Sequence, residues 1–273
     1  AATDTATVSG AGHIELDIDG TAAQQNVDAL TLSGNGAAVV YDLAAPTTGT
    51  ATSFTKAGSQ SVTLMGDASE FSGVTITNID TIDVIAGGNA AFNGSFFSGI
   101  GKFDLGVDNQ NQAMTLVSGS TIEITADQTT GTNIDFSAAG GADMTIVAGD
   151  DIAGASVGTI ELAAVNAAGG VAATTVGTVT IEASIANVDT TGVALAAKQN
   201  LVITGDENVV LSDTGGAETV VADSVSAVNS TGNITINVED TVTNTPDVDT
   251  ITTGSGAGSF IVDSTVVGLK VFR

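Results

Sequence analysis

Nearly the same phrase returns along this chain: TIDVIAG from residue 81, TIEITAD from 121, TIELAAV from 159, TVTIEAS from 178 and LVITGDE from 201. In TVTIEAS, Val179, Ile181 and Ala183 fall on one side of an extended chain, and Thr180, Glu182 and Ser184 on the other. That period of two is the mark of a half-buried strand. The first inward apolar residues of successive units are Ile82, Phe103, Ile122, Met144, Ile160, Val179, Leu201 and Val220, in steps of 21, 19, 22, 16, 19, 22 and 19 residues. A strand in every unit, at a spacing near 20 with variable turns between, is the pattern of a solenoid.

The spacing therefore predicts an all-β chain wound as a parallel β-solenoid (β-helix), with about 20 residues per coil. Each coil rises by one strand spacing, about 4.8 Å, and hydrogen-bonds to the coils on either side. HIELDID at 13–19, KFDLGV at 102–107 and NITINVED at 233–240 read as strands, while NIDFSA at 133–138 and NVVLSD at 208–213 give the coils further faces. Gly, Asn, Asp and Ser supply the turns, as in AGGNA at 86–90 and DTGGAE at 213–218. The nearest thing to a helical pattern is AETVVADSVSAVNS at 217–230. An antiparallel β-sandwich is the alternative, because its turn signals recur every 8–12 residues, close to half of this period.

Residues 1–60 fit the period less well, with DLAAPTTGTATS at 42–53 reading as a loop around Pro46. They are expected to form an irregular β cap or small β unit on a solenoid body spanning 61–273. Pro246 marks another irregular turn, and TTGSGAGS at 252–259 reads as a flexible excursion.

Charge narrows the partners. There are 31 acidic residues against Lys56, Lys102, Lys198, Lys270 and Arg273, for a net charge of -26. Nucleic acid and anionic membrane surfaces are excluded, since both need basic side chains. Such acidity often means disorder, but 42% of the residues are hydrophobic, so a folded protein is expected. With nine Phe, one Tyr and no Trp, its interior must be built from small and β-branched side chains. The absence of cysteine removes disulfides, thiol catalysis and thiolate zinc sites together. No apolar run reaches the roughly 20 residues that span a bilayer as a helix, so no membrane insertion is expected. The opening AATDTATVSG lacks the regions of a signal peptide, and Arg273 is where a trypsin-like protease would cut. A mature chain, a fragment or a protein exported by another route is expected.

Acidic turns are the only chemistry on display. Calcium takes six to eight oxygen ligands, and Asp beside Gly in a turn offers both carboxylate and carbonyl oxygens. The candidate metal ligands are Asp143, Asp150, Asp151, Asp206, Glu207, Asp213, Glu239 and Asp240, with calcium as the expected cofactor. Carboxylates crowded on a rod repel across gaps shorter than a Debye length of about 8 Å, so bound cations would relieve that repulsion. Carboxylate pairs such as Asp150 with Asp151 are too common to nominate an acid/base site, and His13, the single histidine, reads as an ordinary strand residue. No enzyme is expected. A polysaccharide lyase would need more basic residues to hold an acidic glycan.

AFNGSFFSGIGKF at 91–103 brings Phe92, Phe96, Phe97 and Phe103 together, as core filling or as a contact patch. Thr75/Thr77, Thr178/Thr180 and Thr250/Thr252 resemble the T-x-T rows of ice-binding solenoids, although in the sequence such rows do not recur coil after coil.

FSGVTITNIDTIDVIAGG at 71–88 and FFSGIGKFDLGV at 96–107, set in a Thr/Ala/Gly/Val-rich chain, resemble the β-helical body of type-I-secreted bacterial S-layer and RTX surface proteins. The resemblance covers residues 60–273 and is carried largely by composition. It implies a secreted, cell-surface structural protein that self-associates into a lattice or filament through coil ends that would otherwise leave backbone groups unpaired. A cell-surface polysaccharide is a possible partner, and an adhesin stalk is the alternative role. The calcium nonapeptide G-G-x-G-x-D-x-U-x is not present; its closest echo is GGADMTIVAGDD at 140–151, which keeps Gly140, Gly141 and Asp143 and loses the third glycine.

Overall fold

Strands of this chain pair with strands one coil away, and every pairing among the described residues is parallel. A computed structural model describes residues 5–9, 14–17, 29–32, 39–42, 53–59, 61–67, 71, 74–86, 92–93, 97–105, 113–116, 119–125, 134–138, 143–149, 159–162, 165–167, 177–190, 193–195, 199–211, 220–222, 224–238, 250–262 and 270–272. The fold is the parallel β-solenoid that the repeat spacing predicts, and the antiparallel sandwich is excluded.

One sheet of twelve strands runs the length of the solenoid, from Ile14–Asp17 through Lys102–Leu105, Met144–Ala148 and Gly177–Ala183 to Lys270–Phe272. The ladder crosses residue 60, with Val39 opposite Val62. Three shorter sheets complete the coils. A first flank of five strands comprises Thr5–Val8, Ala29–Leu32, Ser53–Lys56, Thr75–Thr77 and Phe97–Ser98. A second flank, Thr159–Leu162 to Gly258–Val262, also has five strands, and a rear sheet, Phe92–Asn93 to Val220–Val221, has six.

Alternation decides what is inside. Gly177–Ala183 alternates buried and half-buried positions along its whole length. Because the ladder is in register, inward residues stack into columns: Leu64, Ile82, Phe103, Ile122, Ile146, Ile181 and Ile203 lie opposite one another in turn, and all are buried. Each such side chain contributes about 1.5–3 kcal/mol by leaving water. Phe97 and Phe103 join this core with ring centroids 6.3 Å apart, which confirms core filling for those two; Phe96 lies outside the described residues.

Two residues of the predicted column sit on other sheets, and Met144, Val179 and Leu201 lie on the long sheet in a neighbouring inward column that starts at Ser120, since Ile122 faces Ile146. Ile160 belongs to the second flank, opposite Val188, and Val220 to the rear sheet, opposite Val193. Met144 instead faces Val179, 35 residues on, and Leu201 faces Val225. Strands of every face share the same apolar alternation, so a sequence count assigns them to one sheet. The stretch 217–230 holds strands Val220–Val221 and Ser224–Ser230 in place of a helix.

The corner between the long sheet and the second flank is built from stacked turns. Glu207 N–H donates to Ala183 O at 2.9 Å, Thr231 N–H to Gly205 O at 2.9 Å, and Ser255 N–H to Ser230 O at 3.1 Å. Gly205 has φ 105°, open to glycine, and a Cβ there would fall 2.1 Å from Ala183 O. An asparagine ladder follows. Asn208 donates through its backbone N–H and through Nδ2, each at 2.9 Å, to Asn187 Oδ1, and Asn233 N–H donates to Asn208 Oδ1 at 3.2 Å.

Candidate functional site

Outward positions stack in register as the inward ones do, so the outer faces carry columns of residues, interrupted on the long sheet where the register shifts at Gly66/Asp67 and Val202/Thr204. On the long sheet, one outward column runs Met65, Asp83, Asp104, Glu123, Val147, Glu182 and Thr204, with the backbone of Asp42 and Asp17 continuing its register. Like charges on adjacent strands repel. Lys102 offsets part of this: its Nζ donates to Glu123 and lies 3.8 Å from Asp104 Oδ2. Thr125 Oγ1 donates to Asp104 Oδ1 at 3.0 Å.

The first corner is held by a second ion pair. Asp80 accepts from Lys56 Nζ at 2.7 and 2.6 Å, and from Val62 N–H at 2.7 Å. One carboxylate thus ties together a flank strand, the corner and a long-sheet strand.

Three of the predicted metal ligands, Asp143, Asp206 and Glu207, lie among the described residues. Asp143 Oδ1 accepts from Thr178 N–H at 2.7 Å, and its carbonyl oxygen accepts from Gly119 N–H at 2.5 Å, so this residue fastens the start of its strand to both neighbouring coils. Asp206 and Glu207 occupy the turn after Gln199–Gly205, at the other end of the long-sheet strands. About six residues of strand, roughly 20 Å, separate the two positions. Asp150, Asp151, Asp213, Glu239 and Asp240 lie outside the described residues. Among the described residues no group of three or more His, Asp or Glu is placed to hold a metal ion. His13 also lies outside the described residues.

Asp189, on the second flank, stands opposite Glu161 of the preceding coil. Asp189 is an exposed residue, and partial desolvation of its carboxyl raises its pKa above the ordinary carboxylate value.

The first flank carries what the sequence reading missed. Its outward positions form one column of Thr7, Thr31, Thr55, Thr77 and Ser98, beside a register column of Thr5, Ala29, Ser53 and Thr75. Ser98 Oγ donates to Thr77 Oγ1 at 3.5 Å. Behind them Phe54, Ile76 and Phe97 are buried. Hydroxyl rows therefore do recur coil after coil here. The signal was present in TAT, ALT, SFT and TIT, but only two of the four read T-x-T, and their alignment depends on coil lengths of 24, 24 and 22 residues that no single period reveals.

The long sheet has a related stretch, in which Thr121, Thr145, Thr180, Val202, Ser226 and Thr252 share one outward column. No protein-family model, curated protein or solved structure matches the chain.

Proposed function

We propose that this chain is a structural, non-enzymatic, secreted protein of the cell surface whose solenoid packs side by side with other copies in a lattice or filament. The observation that carries this reading is the twelve-stranded parallel sheet, whose register among the described residues shifts only at Gly66/Asp67 and at Val202/Thr204. Twelve strands at about 4.8 Å make a rod about 53 Å long with stacked columns of residues on its faces. Such a shape suits repetitive contact between identical units. The sequence resemblance to S-layer and RTX surface proteins points the same way.

Cations act in this proposal by screening. Carboxylates stacked about 4.8 Å apart lie well within a Debye length of about 8 Å, so divalent ions spread along the acidic column lower the repulsion within one rod and between neighbours. A dedicated cage is not required. Electron microscopy of the purified chain, with calcium and with excess chelator, is the test. Ordered arrays or filaments that loosen on chelation are expected. Isolated rods under both conditions overturn self-assembly and favour an adhesin stalk. Arrays and a melting temperature that ignore chelator overturn the role of calcium alone.

A further inference from the structure

The outer face of the first flank is periodic and, over its described outward residues, uncharged, in a chain of net charge -26. Thr7, Thr31, Thr55, Thr77 and Ser98 repeat along it at about 4.8 Å, with a second column about 6.6 Å to one side. Each hydroxyl offers one donor and two acceptor sites, and each Thr adds a methyl group on a side chain stiff at χ1. The strands behind are pinned by the buried Phe54, Ile76 and Phe97, so this array is rigid.

Size and chemistry remove most occupants. Five strands of about four residues cover roughly 24 by 13 Å, about 300 Å². That is well short of the roughly 800 Å² per partner of a stable protein interface, so neither another protein nor a second copy is held by this face alone. No charge on it recruits a divalent cation, a phosphate or an anionic lipid. No aromatic ring is among its outward residues, and the chain has no Trp, so nothing is offered for a sugar ring to stack on.

A periodic solid that bonds through water remains. Over fixed, uncharged hydroxyls and methyls, water between the columns can hydrogen-bond to the protein and to its own neighbours at once, without being turned by a charge. The repeat along the columns is close to the second-neighbour oxygen spacing of hexagonal ice. We propose that this hydroxyl face, centred on Thr55 between Thr31 and Thr77, binds ice. The activity is independent of the assembly reading, because a single rod carries the whole face.

The test is partition of the fluorescently labelled chain into slowly growing polycrystalline ice, alongside inhibition of ice recrystallisation. The wild-type chain is expected to enter the ice and hold grain size. Thr55→Lys and Thr77→Lys, which raise a long charged side chain from the face, are expected to lose both effects with far-UV circular dichroism and melting temperature unchanged. Thr55→Val, which keeps the shape and strand preference and removes one hydroxyl, is expected to lose part of the effect. Thr180→Lys, on the long sheet, is expected to behave as wild type. Exclusion of the wild-type chain from ice overturns the proposal. So does full activity in Thr55→Lys, and so does Thr55-dependent retention on an insoluble polysaccharide by a chain that ice excludes.

Discussion

Replacing Ile146 by alanine removes three carbons from the middle of the inward column, where Ile146 lies between Ile122 and Ile181 and is 2% exposed. At about 0.8 kcal/mol per buried methylene, the lost transfer energy is about 2.4 kcal/mol. The space left cannot close, because the strands above and below are held at their spacing by backbone hydrogen bonds along the whole sheet. A residual cavity of about 60–80 Å³, at about 24 cal/mol per Å³, adds about 1.5–2 kcal/mol. The sum is about 4 kcal/mol, in the upper part of the usual range for such truncations. Thr145→Ala, one residue away on the outer face, should cost within about 0.5 kcal/mol. Urea unfolding of both variants, compared at equal slope, measures the difference. Equal costs for the two, or an Ile146→Ala cost under about 1 kcal/mol, would refute the register, because a slip of one residue exchanges the two faces.

Asp80→Ala strips Lys56, whose side chain is 14% exposed, of its carboxylate partner and leaves Val62 N–H without its side-chain acceptor. A loss of about 2 kcal/mol is expected, partly recovered when Lys56→Met is added, as a double-mutant cycle would read. Asn208→Ala breaks the corner ladder on both sides and should cost about 1 kcal/mol, with faster amide exchange at Asn233. Asp189 has a folded-state pKa raised above 3.8 by burial, so its proton is held more tightly in the folded chain. Its contribution to stability is present below 3.8 and is lost as pH climbs through the raised value. Because Asp189 is exposed the effect is small: Asp189→Asn should be no less stable than wild type at neutral pH and flatten this part of the profile, and a variant clearly less stable at pH 7 would contradict the sign.

Much of the winding was legible because alternation is local. Ile82, Phe103 and Ile122, spaced 21 and 19 residues, stack as counted. Counting slipped by two residues at Met144, which faces Ser120 while Ile122 faces Ile146, and broke at Ile160, where one turn lengthens to 35 residues by adding a strand on the second flank. An inward Ile looks the same on any face. The same limit hid the hydroxyl columns, since Thr31 meets Thr55 only through the coil between them. In sequence Asp143 offers only its carboxylate, yet its role depends on Thr178, a distant residue whose N–H donates to it.

The sequence by itself determined that the chain is β throughout, that its core is narrow and aliphatic, and that its surface is strongly acidic. These follow from period-two alternation and side-chain chemistry, which every residue carries with it. Only the tertiary structure decided which strands share a face, which carboxylates bind backbone rather than stand free, and which hydroxyls line up. Those depend on the length of each coil, and that length is set by how a turn packs against the turn before it.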